Sequence, residues 1–87
     1  PMKRRWIVSP QYRQAIDAIR AAREAQGLSQ REVARRLGMP TSFPNKVEQL
    51  ERRLDILEFI AIARVLNLDP HALLDRVLEV LPETFSL

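Results

Sequence analysis

Residues 29–48 form the segment SQREVARRLGMPTSFPNKVE. Ser29 and Glu32 stand three apart at its start. That is the spacing of a capping box, in which each side chain satisfies the other residue's free amide. Val33, Ala34 and Leu37 then fall on one face of a short helix, and Gly38 is its natural stop. After a tight turn of about three or four residues, a second short helix is expected within residues 41–51. Two helices joined steeply by a glycine-containing turn form a unit that reads DNA. The first helix braces across the phosphates while the second enters the major groove.

The flanking sequence supplies three more helices. Ser9 is expected to cap the first, with Pro10 in its opening position. Ala15, Ile16, Ile19, Ala22 and Arg23 recur there at three- and four-residue spacing, and Gly27 ends it. A fourth helix opens at Asp55, whose spacing to Glu58 makes a second capping box. Leu54 and Phe59 lie where a hydrophobic staple would, and Asn67 is placed to take the left-handed closing position after Leu66. Asp69-Pro70 caps a fifth helix through Leu73, Leu74, Val77 and Leu78 to about Leu81, and Pro82 ends it. The expectation is an all-α domain of short helices.

At 87 residues the chain has room for one domain with one modest core. Pro1 before Met2 reads as a remnant of tag removal. The expected division is a basic arm over 1–8, the folded domain over 9–81 and a tail over 82–87. There is no cysteine, hence no disulfide framework, thiolate metal site or thiol nucleophile. The longest apolar run, Phe59–Ala63, is far short of a membrane span, and the basic N-terminus lacks a signal-peptide core. No membrane is therefore expected as a partner, and a cytoplasmic, nucleoid-associated protein is. Residues 1–39 carry nine Lys/Arg against three Asp/Glu, a balance of +6, while residues 40–87 carry five against eight, a balance of −3. A basic N-terminal half suits a polyanionic partner, or else is an ordinary solvated surface.

Catalysis is disfavoured. The chain offers no phosphate-cradling loop and no metal-ligand spacing, and its single histidine, His71, has no second ligand nearby in sequence. No enzyme activity, cofactor, metal or small-molecule ligand is expected.

At this point the sequence resembles the phage-repressor-like (Cro/Xre-type) helix-turn-helix family. The resemblance is carried by Gly27 to Ala34, Leu37-Gly38, Lys46-Val47-Glu48 and Glu51 to Asp55, and it extends through Glu58-Phe59, Ile62-Ala63-Arg64 and Leu68-Asp69-Pro70. It implies a compact five-helix, lambda-repressor-like DNA-binding domain whose helix-turn-helix is helices two and three. It further implies that Gln30 contacts phosphate and supports the reading helix. Thr41, Ser42, Asn45 and Lys46 would face base edges, and asparagine is well suited to adenine. Arg52 and Arg53 would touch the phosphate backbone, which positions without specifying sequence. Arg23 and Glu48 would form a structural pair between helices one and three. Thr41 and Ser42 also read as turn and cap residues, and Arg35 and Arg36 as a solvated face. Lys3, Arg4 and Arg5 are either a minor-groove arm or an unstructured basic tail, with Trp6 pinning the arm to the body.

Two residues depart from the family pattern. Pro44 stands where an apolar residue with an amide is usual, and proline is tolerated only in a helix's first turn. Leu50 stands where glycine usually closes the helix, and leucine takes the left-handed conformation at a cost. Both departures predict a third helix displaced toward the C-terminus, starting late and running on toward Arg52. Val47, Leu50, Leu54, Leu57 and Ala61 also follow coiled-coil spacing. Helices three and four would merge and swap between chains if the Asp55 cap failed to form.

Helix five is richer in apolar residues than one inward stripe needs, and Phe85 follows it. A homodimer is therefore expected, with Leu78, Leu81 and Phe85 at its interface, binding double-stranded DNA as a sequence-specific transcriptional regulator, most simply a repressor. The alternative is a protein–protein interaction module, antitoxin-like or regulator-binding, on the same fold, with DNA binding altered or lost through Pro44 and Leu50.

Overall fold

The computed structural model describes residues 9–87, so the arm bearing Lys3, Arg4, Arg5 and Trp6 lies outside the described residues. Five helices follow in order: α1 (Pro10–Ala25), α2 (Gln30–Leu37), α3 (Ser42–Glu48), α4 (Ile56–Val65) and α5 (Pro70–Val80). The Ser9 hydroxyl accepts from the Tyr12 amide at 3.2 Å and Pro10 opens α1. The Asp69 carboxylate accepts from the His71 amide at 2.7 Å and Pro70 opens α5. At α4 the capping box is complete: the Glu58 amide donates to Asp55 Oδ1 at 2.8 Å, and the Asp55 amide donates to Glu58 Oε1 at 3.0 Å. At α2 only half of the expected box forms. Ser29 Oγ accepts from the Glu32 amide at 3.0 Å, but the Glu32 carboxylate is drawn away by Arg35 and Arg36.

Four helices close in the same way, each with one residue in the left-handed conformation: Gly27, Gly38, Leu50 and Asn67. In each, the next amide reaches back five residues to a helix carbonyl: Leu28 to Arg23 at 3.3 Å, Met39 to Ala34 at 3.0 Å, Glu51 to Lys46 at 2.8 Å and Leu68 to Ala63 at 2.9 Å. This pairing consumes carbonyls that a helix end leaves without partners.

These closures correct the expectation for helix three. It does not run on to Arg52: α3 ends at Glu48, and Leu50 closes it at φ 63°. The left-handed conformation costs a leucine about 1–2 kcal/mol. Leu50 is buried in the core, however, and that burial contributes about 1.5–3 kcal/mol. Burial wins. At the other end the proline argument holds, because Pro44 is the third residue of α3 and its missing amide is one that a helix start leaves unpaired anyway. Ser42 is nonetheless helical and only Thr41 lies in the turn. Residues 49–55 are not helical, so α3 and α4 do not merge.

α1 packs on α5 and α3, α2 on α3 and α4, and α4 on α5. Between them lies one apolar core that includes Ile16, Ile19, Val33, Phe43, Val47, Ile62, Leu66, Leu73 and Val77. Two polar ties fasten the connections to α1. Gln26 Nε2 donates to the Leu66 carbonyl at 2.6 Å, and the Leu54 amide donates to the Tyr12 hydroxyl at 2.9 Å. Replacing Leu50 with glycine relieves the left-handed strain but removes a core side chain. We expect chemical unfolding to show a net loss of about 1–2 kcal/mol; a more stable variant would mean that strain, not burial, governs this position.

Candidate nucleic-acid interface

α3 is too short to hold itself together, since isolated helices of fewer than about 12 residues are marginal in water. Its inner face is Phe43, Pro44 and Val47, all buried. At about 100° per residue, Ser42, Asn45, Lys46 and Gln49 share the opposite face within an arc of about 100°. Thr41, Ser42, Lys46 and Gln49 are exposed and Asn45 is half-buried. Thr41 makes no capping hydrogen bond with its side chain, and Lys46 has no ion pair among the described residues.

Gln49 was not among the residues singled out from sequence, although its i, i+4 spacing from Asn45 was legible. Its Nε2 donates to Asn45 Oδ1 at 3.1 Å. Asn45 therefore keeps one Oδ1 lone pair and both Nδ2 hydrogens for an external partner. The face presents hydroxyl, amide and ammonium groups, the functional groups that read base edges and contact phosphate.

The C-terminal end of α3 is fixed by Glu48. Arg23 donates to it twice, Nε to Oε2 at 2.7 Å and Nη2 to Oε1 at 3.0 Å. Arg23 Nη1 also donates to the Leu28 carbonyl at 2.7 Å. Gln30 Nε2, from the first turn of α2, donates to Glu48 Oε1 at 2.8 Å. The second Nε2 hydrogen of Gln30 is left for another acceptor. The side chains of Arg23 and Glu48 are only 12% and 8% exposed, so the pair is largely removed from water.

Arg52 and Arg53 are placed differently from each other. Arg52 makes two bonds to Glu58, Nη1 to Oε1 at 2.9 Å and Nη2 to Oε2 at 2.7 Å, and lies over the Phe43 ring at 4.8 Å. Hydrogen bonding from Arg52 holds the Glu58 carboxyl below its usual range, and the Glu58 carboxylate raises Arg52 in turn. Arg53 lies over the Tyr12 ring at 5.2 Å.

On α2, Arg35 and Arg36 are exposed but not merely solvated. Both bond to Glu32, and Arg36 Nη1 reaches the Val65 carbonyl at 2.9 Å. Hydrogen bonds from Arg35 and then Arg36 hold the Glu32 carboxyl down to about 2.

Glu48→Ala leaves a nearly buried guanidinium without its carboxylate. We expect urea unfolding to show a loss of about 3–5 kcal/mol, and much less for the double variant Arg23→Met, Glu48→Leu, which removes both charges together. A single-variant loss below about 1 kcal/mol would place the pair among ordinary surface ion pairs.

A helix-turn-helix family model matches residues 19–73, from within α1 to within α5. No curated protein matches the chain. Among solved structures, the chain is similar to an XRE-family like protein from Pseudomonas syringae pv. tomato str. DC3000. The TM-score is 0.75 at 43% identity, covering 83% of this chain and 88% of that one. It is also similar to the restriction-modification controller protein C.AhdI from Aeromonas hydrophila, with a TM-score of 0.62 at 28% identity over 69% of this chain and 91% of that one. A mutant of the restriction-modification controller protein C.Esp1396I shares the fold, with a TM-score of 0.75 at 18% identity over 82% of this chain and 90% of that one. The chain belongs to the Xre-type helix-turn-helix family of DNA-binding transcription regulators.

Proposed function

We propose that this chain is a sequence-specific repressor that binds operator DNA as a homodimer, with α3 in the major groove and the first turn of α2 against the phosphates. The observation that carries the reading is the polar face of α3, Ser42, Asn45, Lys46 and Gln49, lying opposite the buried Phe43, Pro44 and Val47. Thr41, Ser42, Asn45 and Lys46 are the base-facing residues in this reading, and Gln30 and Arg53 approach the phosphates. Pro44 sits in the first turn of α3 without distorting it, so it gives little support to an interaction module that has lost DNA contact. The structural relative at 28% identity is a restriction-modification controller protein by name. Repression by occupancy is the simplest outcome of such docking.

Dimerisation is part of the proposal, because one helix-turn-helix buries little DNA surface and two-fold half-sites are the usual remedy. Leu78 and Phe85 are exposed as a dimer seam requires, but Leu81 packs against its own core. The apolar surface extends instead toward α4, where Ile56 and Leu57 are exposed. There, an open groove of about 770 Å³ is lined by Tyr12, Phe59, Ile60 and Leu74, with Arg64, His71, Asp55 and Asp69 beside them. In this reading a second copy covers this face, which is supported by charges of both signs that permit the reciprocal pairing of a two-fold interface.

Selection of bound fragments from random duplex DNA tests the reading. The expected result is a pair of two-fold-related half-sites about one helical turn apart, with Asn45→Ala and Lys46→Ala altering the selected bases or the affinity. Leu78→Glu is expected to yield a monomer in sedimentation and to weaken operator binding. No enrichment of any fragment, or binding indifferent to salt, would overturn the proposal.

A further inference from the structure

Arg52 follows α3 where a backbone-contacting cation is expected, but its surroundings commit it elsewhere. Nη1 donates to Glu58 Oε1 and to the Arg53 carbonyl, each at 2.9 Å, and Nη2 donates to Glu58 Oε2 at 2.7 Å. The guanidinium also lies 4.8 Å from the centroid of the Phe43 ring. Phe43 is the second residue of α3 and is buried. Glu58 Oε1 simultaneously accepts the Asp55 amide at 3.0 Å and so closes the cap of α4. One planar cation thus joins the first turn of α3, the 49–55 connection and the start of α4.

We infer that Arg52 is a positioning residue, which acts on DNA by holding Phe43 and the first turn of α3 rather than by contacting phosphate. The inference rests on the proposed DNA-binding function. Two physical points carry it. Both Nη1 hydrogens and one Nη2 hydrogen are already used in a fork that matches a carboxylate. Glu51, Asp55 and Glu58 also outnumber Arg52 and Arg53 across residues 51–58, so the local charge is −1. A neutralised cation releases few counterions from DNA, whereas a free one such as Lys46 contributes about one to the salt dependence.

α3 is consequently clamped at both ends by an arginine bound twice to a glutamate. Arg23 and Glu48 hold its C-terminal end, and Arg52 and Glu58 hold its N-terminal end through Phe43.

The test measures affinity for the selected duplex over a salt series with the full chain and with Arg52→Met, Glu58→Gln and Lys46→Ala. All are measured at a temperature where circular dichroism shows each variant folded. Arg52→Met and Glu58→Gln are both expected to weaken binding about tenfold, the low end for charge-assisted hydrogen bonds, without changing the salt slope. Lys46→Ala should reduce that slope by about one ion.

A phosphate contact at Arg52 gives the opposite pattern and would overturn the inference. Arg52→Met would then lower the slope as Lys46→Ala does, and Glu58→Gln, which releases the cation, would leave binding unchanged or tighten it. Unchanged affinity in both folded variants would also overturn it, since Arg52 would then serve stability alone. If Arg52→Met does not fold, the sign of the Glu58→Gln effect decides. Failure of the unaltered chain to bind any duplex would overturn the DNA-binding function, and the inference with it.

Discussion

The pairing of Arg23 with Glu48 ties α3 to α1 and, through Gln30, to α2. It fixes the far end of a seven-residue helix that has little stability of its own. Through Leu28 and Gln30 it also joins the end of α1, the turn that follows and the start of α2. Burying two ions is costly, and their mutual attraction often only offsets that cost. The contribution of such a pair is therefore geometric. A guanidinium fork bonds both oxygens of one carboxylate, so the orientation of α3 against α1 and α2 is specified rather than merely permitted.

The core beneath the pair explains why the helix tolerates unusual residues. Phe43, Val47 and Leu50 all point inward from α3 or its closing turn and are buried. Their combined burial exceeds the strain of one leucine in the left-handed conformation. Pro44 adds no strain of that kind, because it occupies a position whose amide would be idle. α3 thus has a polar outer face, an inner face in the core and a charged pair near each end, and side chains on a helix are held more closely than side chains on a loop.

Much of this was legible in the sequence, for local reasons. Ser9-Pro10, Ser29, Asp55 with Glu58, and Asp69-Pro70 are signals a few residues long, and each cap forms. Gly27, Gly38 and Asn67 announced their closures by residue type alone. Leu50 did not, because what places it there is burial among residues distant in sequence. Glu32 was misread for a local reason: Arg35 and Arg36, one helical turn on, compete for the carboxylate that a capping box needs. The Arg23–Glu48 pair was recoverable only through family resemblance, since the partners lie 25 residues apart. The bonds of Arg52 were not legible, because they are made to a glutamate six residues on and to an aromatic ring nine residues back.

In the proposed function DNA meets the protein at the outer face of α3, which the two clamps hold. Amide chemical shifts recorded while the selected duplex is titrated into the labelled chain test it most directly. The largest changes are expected on residues 41–49 and on the first turn of α2, Gln30 to Glu32. Changes concentrated instead along the groove between α4 and α5, with residues 41–49 unmoved, would contradict it.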